Sequence, residues 1–259
     1  MDHTQHELYP HYQQLWQHAW PRVRHGPVEY DPHLATKATD GRRGLTIVAR
    51  LASSVTEQLS AMQHQLSALE PYQYAYPPAD MHLTILSLFT TTLAFQPYLE
   101  RLAAYREAIA PVVWSTPVFG LETIGITLSP SAVLAQGFPH DGTLNHTRDR
   151  LRAALLGCGL GDSLDQRYRL VSAHTTLLRF ATPFHAPEVF AHTLAAYRHT
   201  NFGSSLITSF DLVINDWYMS AEKVRIVDTY QLVDQEPTEK GTWPNMRMQH
   251  RPAGVGPIL

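Results

Sequence analysis

The sequence predicts an α+β fold: two pseudo-symmetric lobes of antiparallel sheet with flanking helices around a central cleft. Three observations predict it. Stretches with a period of two alternate with stretches of period three to four across residues 44–233. The order strand, helix, strand, helix, strand runs through twice, with matching spacing. One short pattern, a histidine with a threonine two residues on, sits in the same strand of each run.

Residues 1–43 read as an N-terminal arm. Glu7 to Trp20 suits a helix closed by Pro21, and Pro21 to Arg43, rich in Pro, Gly and charge, suits an extended linker or covering segment. Gly44 to Leu51 is apolar and β-branched, a strand. Val55, Leu59, Met62, Leu66 and Leu69 step by three and four, a helix from about Ser54 with Ser53 or Ser54 as its N-cap. A tyrosine- and proline-rich loop, 71–80, leads into a strand from Met81 to Phe89. A helix over about 96–109, ending before Pro111, and strand material over 112–128 complete the first run.

The second run repeats that order. Ala132 to Phe138 reads as a strand and Thr143 to Leu156 as a helix with Gly157 at its C-cap. Tyr168 to Phe180 reads as a strand, and Pro187 to His199 as a helix with Pro in its first turn. Strands over 205–219 and 223–233 close as a hairpin. Leu45 to His82 spans 37 positions and Ala132 to His174 spans 42. The next helix begins 14 positions after His82 and 13 after His174. The halves match in element order and spacing, not in residue identity. Residues 234–259 read as an irregular tail.

Composition narrows the function. The 259 residues carry 20 Lys plus Arg against 23 Asp plus Glu, a net charge of −3. That excludes bulk binding of nucleic acid by counterion release but leaves room for a local nucleotide pocket. The single cysteine, Cys158, forms no internal disulfide and builds no thiolate zinc site. With a polar N-terminus and no apolar run of about 18 residues, the expectation is a cytoplasmic protein with no membrane segment. Fifteen histidines remain to be explained.

Two of them carry a pattern. His82-Leu83-Thr84-Ile85 and His174-Thr175-Thr176-Leu177 fall at equivalent places, and no other histidine has Ser or Thr two positions later. Residues two apart share a strand face. Each imidazole therefore has a hydroxyl beside it, while Leu83, Ile85, Thr175 and Leu177 turn to the core. A lone strand histidine reads as a hydrogen-bonded core residue. Stability gives no reason to repeat both His and Thr. If the lobes face each other, one imidazole can take a proton from water and the other can give one to a leaving oxygen, with two threonines donating to the anion between them. This suits in-line displacement at a phosphodiester.

These paired motifs resemble those of the two-histidine (2H) phosphoesterase superfamily, which includes 2′,3′-cyclic phosphodiesterases and bacterial proteins named 2′-5′ RNA ligases. Pro77-Pro78-Ala79-Asp80-Met81-His82-Leu83-Thr84-Ile85 resembles the lead-in and first motif. His174-Thr175-Thr176-Leu177-Leu178-Arg179 resembles the second with its trailing arginine. Trp217-Tyr218 and the strand over 222–232 are similar to the closing hairpin. The resemblance covers about 44–233 and implies a bilobal domain. It implies that His82 protonates the leaving ribose oxygen, that His174 activates water, and that Thr84, Thr176 and Arg179 hold the phosphate. It also implies no metal, no cofactor, and a monomer whose partner is a nucleotide or short RNA with a cyclic phosphate. Leu86 stands where many bacterial members carry an arginine.

Other signals are weaker. Gly161-Asp162-Ser163-Leu164 spells a serine-esterase signature but follows a helix end in mid-chain and lacks its late Asp-x-x-His, so it reads as a loop. Gly157 to Gly161 reads as a helix stop. The histidines at 3, 6, 11, 18 and 25 and at 185, 192 and 199 come with no carboxylate cluster and read as solvated surface. Arg179 lies five residues after His174, an odd offset that puts it on the His174 face only if the strand is bulged. Tyr72, Tyr74 and Tyr76 alternate before the first motif, either as loop packing or with one ring stacking on a base. Two further function classes stay open: a non-enzymatic binder of RNA ends, and a metal-dependent hydrolase.

Overall fold

The computed structural model describes residues 3–166 and 169–234, with side chains from residue 8 onward. Helix α1 spans His3–His25. The first half then runs β1 (Arg43–Ala49), α2 (Ser53–Leu69), the two-residue strand β2 (Tyr74–Ala75), β3 (Leu83–Thr92), the short α3 (Gln96–Leu99), α4 (Leu102–Val113) and β4 (Phe119–Ser129). The second half runs β5 (Ala132–Pro139), α5 (Thr143–Gly157), β6 (Ala173–Arg179), α6 (Pro187–Ala196), β7 (Asn201–Ile207), β8 (Ser209–Asn215) and β9 (Arg225–Gln231). The irregular tail expected over 235–259 lies outside the described residues.

All strand pairs within the two sheets are antiparallel. One sheet has the order β3-β1-β8-β9 and the other β2-β6-β5-β4-β7. The fold is α+β as the sequence predicts, and the repeat is visible in it. Triplets β3-β1-β8 and β6-β5-β4 correspond, but each half gives its third strand to the other sheet: β4 joins β5, and β8 joins β1. Helices cross over as well. Helix α2 packs on β6 and β7, whereas α5 packs on β3 and α4. Neither lobe is closed by its own half of the chain, so the two halves bury a shared core.

Several boundaries depart from the sequence expectation. Helix α1 passes through Pro10 and Pro21 to His25 instead of stopping at Pro21. Each proline forfeits one helical hydrogen bond. The buried stripe Leu8, Tyr12, Ala19 and Val23 compensates by packing the helix against β4, β5 and α6. Helix α4 likewise runs past Pro111 to Val113, because Val112 and Val113 are buried. The expected strand over 205–219 is two strands, β7 and β8, that part at Thr208 and enter different sheets. Helix α2 begins after Ala52, which caps it with no side-chain bond, so neither Ser53 nor Ser54 is the N-cap. The stop of α5 falls one residue later than expected. Gly159, at φ +65°, donates to Leu156 O (3.0 Å), and Leu160 donates to Leu155 O (2.8 Å), the two bonds of a Schellman turn. Among the described residues no helix is long and apolar enough to cross a membrane.

Tyr12 ties α1 to the edge of the motif sheet. Its hydroxyl donates to Gly137 O (3.1 Å) and accepts from the Ala173 N–H (3.0 Å), where β5 and β6 begin to pair. The Tyr12 carbonyl in turn accepts from Thr127 Oγ1 (2.8 Å). Replacing Tyr12 by Phe leaves a buried N–H and a buried carbonyl one partner short. The expected cost is about 1–3 kcal/mol, read as a lower urea midpoint with an unchanged slope.

Candidate active site

Strands β3 and β6 lie side by side where the lobes meet, and a cleft of about 220 Å³ opens over them. His82, Thr84, His174, Thr176 and Arg179 all line it. Their neighbours Leu83, Ile85, Thr175 and Leu177 are buried beneath. His82 itself sits one residue before β3, in the turn after Asp80, rather than within the strand.

The two motif strands share a distortion. Opposite β1, Ile47 faces Leu86 and Val48 faces Thr84, so Ile85 is an extra residue on β3. Opposite β5, Val133 faces Leu178 and Leu134 faces Thr176, so Leu177 is an extra residue on β6. Each bulge lies three residues after the motif histidine and resets the strand parity. Leu177 and Leu178 are therefore both buried, and Arg179 emerges into the cleft despite its odd offset. The first strand does the same: Ile85 and Leu86 are buried, and Ser87 takes the place equivalent to Arg179. The counterpart of Arg179 in the first motif strand is thus Ser87.

Each histidine is aimed by the residue two positions before it. His82 Nδ1 lies 2.7 Å from Asp80 O. A carbonyl only accepts, so Nδ1 carries the proton and neutral His82 leaves Nε2 as an acceptor. His174 Nδ1 lies 2.7 Å from Ser172 Oγ, a hydroxyl that can donate or accept and so allows either tautomer. Burial pushes both imidazoles down to about 4; the Asp80 carbonyl opposes this at His82, and the Arg148 and His82 charges add to it at His174. Thr175 Oγ1 donates to His82 O (3.0 Å), pinning one motif to the other.

Beneath the cleft lies Arg148 of α5, which is fully buried and invisible as a site residue in the sequence. Its Nε donates to Ile85 O (2.9 Å). Nη2 donates to Thr84 O (2.7 Å) and Ser172 O (3.0 Å). Nη1 donates to Val171 O and Asn145 Oδ1 (both 3.3 Å). All five N–H groups are used, and the backbone carbonyls come from β3 and from the segment that leads into β6. Burial lowers its pKa to about 10, which leaves it charged at neutral pH.

Arg179 is held on three sides. Its Nε donates to Tyr76 Oη (2.8 Å), Nη1 lies 3.5 Å from Asp31 Oδ2, and the Trp217 ring centroid is 5.5 Å from its guanidinium. Tyr76 is the tyrosine of the alternating trio that reaches the cleft, whereas Tyr72 is exposed and Tyr74 packs edge-on against Tyr76 and Tyr218. The loop carrying Trp217 is shaped by buried Asp216, which accepts from the Tyr218 and Ser220 N–H groups and the Ser220 hydroxyl. The Gly161–Leu164 segment is a turn, and its Ser163 forms part of the cleft wall. Among the described residues, no three His, Cys, Asp or Glu side chains come together as a metal cluster.

Sequence reasoning missed Arg148, Asp31, Ser87 and the two −2 partners. Parity flags Ser172, whose hydroxyl lies two residues before His174, but not Asp80, which ends a 3₁₀ turn and offers its backbone carbonyl. Nothing local flags Arg148, which looks like any arginine of an amphipathic helix.

No protein-family model and no curated protein sequence matches the chain. Solved structures do. The TT0787 protein of Thermus thermophilus superposes with a TM-score of 0.54 at 18% identity, over 75% of this chain and all of that one. LigT of E. coli, crystallised with 3′-AMP, superposes with a TM-score of 0.50 at 17% identity, over 74% of this chain and 98% of that one. The chain has the LigT fold. A quarter of it has no counterpart in either LigT or TT0787.

Two outcomes test this site. The unfolded histidines titrate near 6.5 and the folded ones about 4. Between those values the unfolded state binds the extra protons. Stability is therefore full above pH 6.5 and falls as pH drops toward 4. A His82→Ala, His174→Ala double variant should show a shallower fall in urea unfolding between pH 7 and 5. Arg148→Met strands four backbone carbonyls and should lower the unfolding free energy by about 3 kcal/mol or more, measured in the same way.

Proposed function

We propose that this protein is a 2H phosphoesterase: a metal-independent phosphodiesterase that hydrolyses a 2′,3′-cyclic phosphate or a 2′-5′-linked oligonucleotide, with His82 and His174 as the acid/base pair. One observation carries the reading. Two separate stretches of chain present the same device, a histidine oriented through Nδ1, a threonine two residues on and a bulge at the third, on neighbouring strands facing one cleft. Packing alone does not require such duplication of polar chemistry.

The chemistry follows from these groups. With Ser172 accepting the Nδ1 proton, His174 Nε2 is free to take a proton from water. The water oxygen forms a bond to phosphorus as the bond to one ribose oxygen breaks. Protonated His82, its Nδ1–H held by Asp80 O, gives its Nε2 proton to that oxygen. Depressed pKa values keep both imidazoles neutral in the empty cleft. An anionic phosphate between them raises both and supports the imidazolium. Thr84 and Thr176 hydroxyls and the Arg179 guanidinium hold the non-bridging oxygens. The 3′-AMP in the E. coli LigT crystal fits a nucleotide as ligand here too. The single cysteine suits a reducing, cytoplasmic compartment.

The test is a panel of 2′,3′-cyclic mononucleotides, 2′-5′ oligoadenylate and RNA with a 2′,3′-cyclic end, resolved by product analysis. His82→Ala and His174→Ala should each lower kcat by about 10²–10⁴ with the fold intact by circular dichroism, and EDTA should leave activity unchanged. Binding without product would instead mark a nucleotide-binding protein, and loss of activity in EDTA a metal-dependent hydrolase.

A further inference from the structure

Arg179 is what makes the two halves of the cleft unlike. Ser87 takes its place in the first motif strand, and among the described residues lining the cleft Arg179 is the one Arg or Lys. Its charge is already matched. Asp31, in the segment between α1 and β1, lies 3.5 Å from it and is itself 9% exposed.

That carboxylate is fixed. Oδ1 accepts from the His33 N–H (3.0 Å) and the Tyr218 hydroxyl (3.1 Å), and Oδ2 accepts from Trp217 Nε1–H (3.2 Å). The backbone is fixed as well. The Asp31 N–H donates to Phe180 O, one residue beyond Arg179, and the Glu29 N–H donates to Pro130 O, both at 2.9 Å. The segment is thus laced along the end of β6 with its carboxylate set against the guanidinium. The Arg179 side chain remains 18% exposed, enough to meet a ligand.

A phosphate placed in the cleft meets the guanidinium, with the Asp31 carboxylate set behind it outside the cleft lining. A second negative charge on it gains from one and is repelled by the other, and it gives up its hydration in either case. The two threonine hydroxyls beside the histidines carry no charge. A phosphodiester carries one charge at neutral pH, whereas a phosphomonoester, with its second pKa near 6, carries about two.

We propose that Asp31 makes this cleft selective for a singly charged phosphodiester over a doubly charged phosphomonoester. This rests on the phosphodiesterase reading and extends it to product release. Hydrolysis adds water across the P–O bond, the freed ribose oxygen takes a proton, and the new monoester gains a negative charge at neutral pH. The carboxylate that tolerates the substrate then disfavours the product.

The experiment is calorimetry at pH 7.5 with 2′,3′-cyclic AMP and 3′-AMP, in a His174→Ala background so that the cyclic nucleotide is not consumed. With Asp31 present, the cyclic nucleotide binds more tightly than the monoester; the reverse order overturns the proposal. Adding Asp31→Asn, which keeps an oxygen for the His33 and Tyr218 donors, should tighten 3′-AMP about tenfold and change the cyclic nucleotide by less than about threefold. Asp31→Glu, which keeps the charge, should retain the wild-type preference. Equal weakening of both nucleotides by Asp31→Asn would show a purely structural carboxylate and overturn the charge selection while leaving the hydrolase in place. Failure of both nucleotides to bind with Asp31 intact would overturn the hydrolase reading and this proposal together.

Discussion

The Arg148 guanidinium is the constraint on which the cleft depends. It comes from α5, a helix of the second half that packs on the sheet of the first, and it reaches backbone carbonyls of β3 and of the segment leading into β6. A buried charge with no carboxylate among its hydrogen-bond partners in the described residues is tolerated because all five of its donors are satisfied, four of them by backbone carbonyls. Two of those carbonyls, Thr84 and Ile85, belong to a bulge, where the interrupted ladder leaves acceptors unused. The arginine therefore holds open the distortion that brings Ser87 to the surface. By holding Ser172 O it also fixes the backbone from which the His174 hydroxyl partner hangs. Thr175, donating to His82 O, makes the second stitch between the motifs.

Pseudo-symmetry supplies the pair of histidines, and departures from symmetry supply what distinguishes them. The Nδ1 partner is a carbonyl on one side and a hydroxyl on the other. The residue after the bulge is serine on one side and arginine on the other. The arginine's surroundings, Tyr76, Trp217 and Asp31, come from three separate stretches of chain. One of them lies in the N-terminal arm, outside the span over which the sequence motifs are recognisable. An arm that reads as a covering segment thus places a carboxylate against the arginine of the cleft.

Much of the fold was legible because the patterns that reveal it are local. Strands β1 and β5 show as short apolar runs and helix α2 by its three-and-four step, and the glycines from Gly157 to Gly161 mark the end of α5 to within a residue. The prolines misled. Pro21 and Pro111 read as stops, yet Tyr12, Val23 and Val113 bury enough surface to carry their helices through. The passage of 205–219 from one sheet to the other at Thr208 left no mark, since no glycine, proline or charge interrupts the sequence between Leu206 and Phe210.

By itself the sequence determined which residues face which way. Alternation put His82, Thr84, His174 and Thr176 on the polar side of two equivalent strands, because the two-residue period of a strand is a property of the backbone alone. It left Arg179 on the wrong face, since a bulge is a mismatch between two paired strands and exists in neither one. Only the tertiary structure decided that the two motifs adjoin, that Ser87 answers Arg179, and that Arg148 and Asp31 serve them. Those relations join carbonyls, carboxylates and guanidinium groups more than a hundred residues apart in some cases. No local propensity encodes such a partner; it is chosen when the halves exchange strands and bury polar groups that must then find one another.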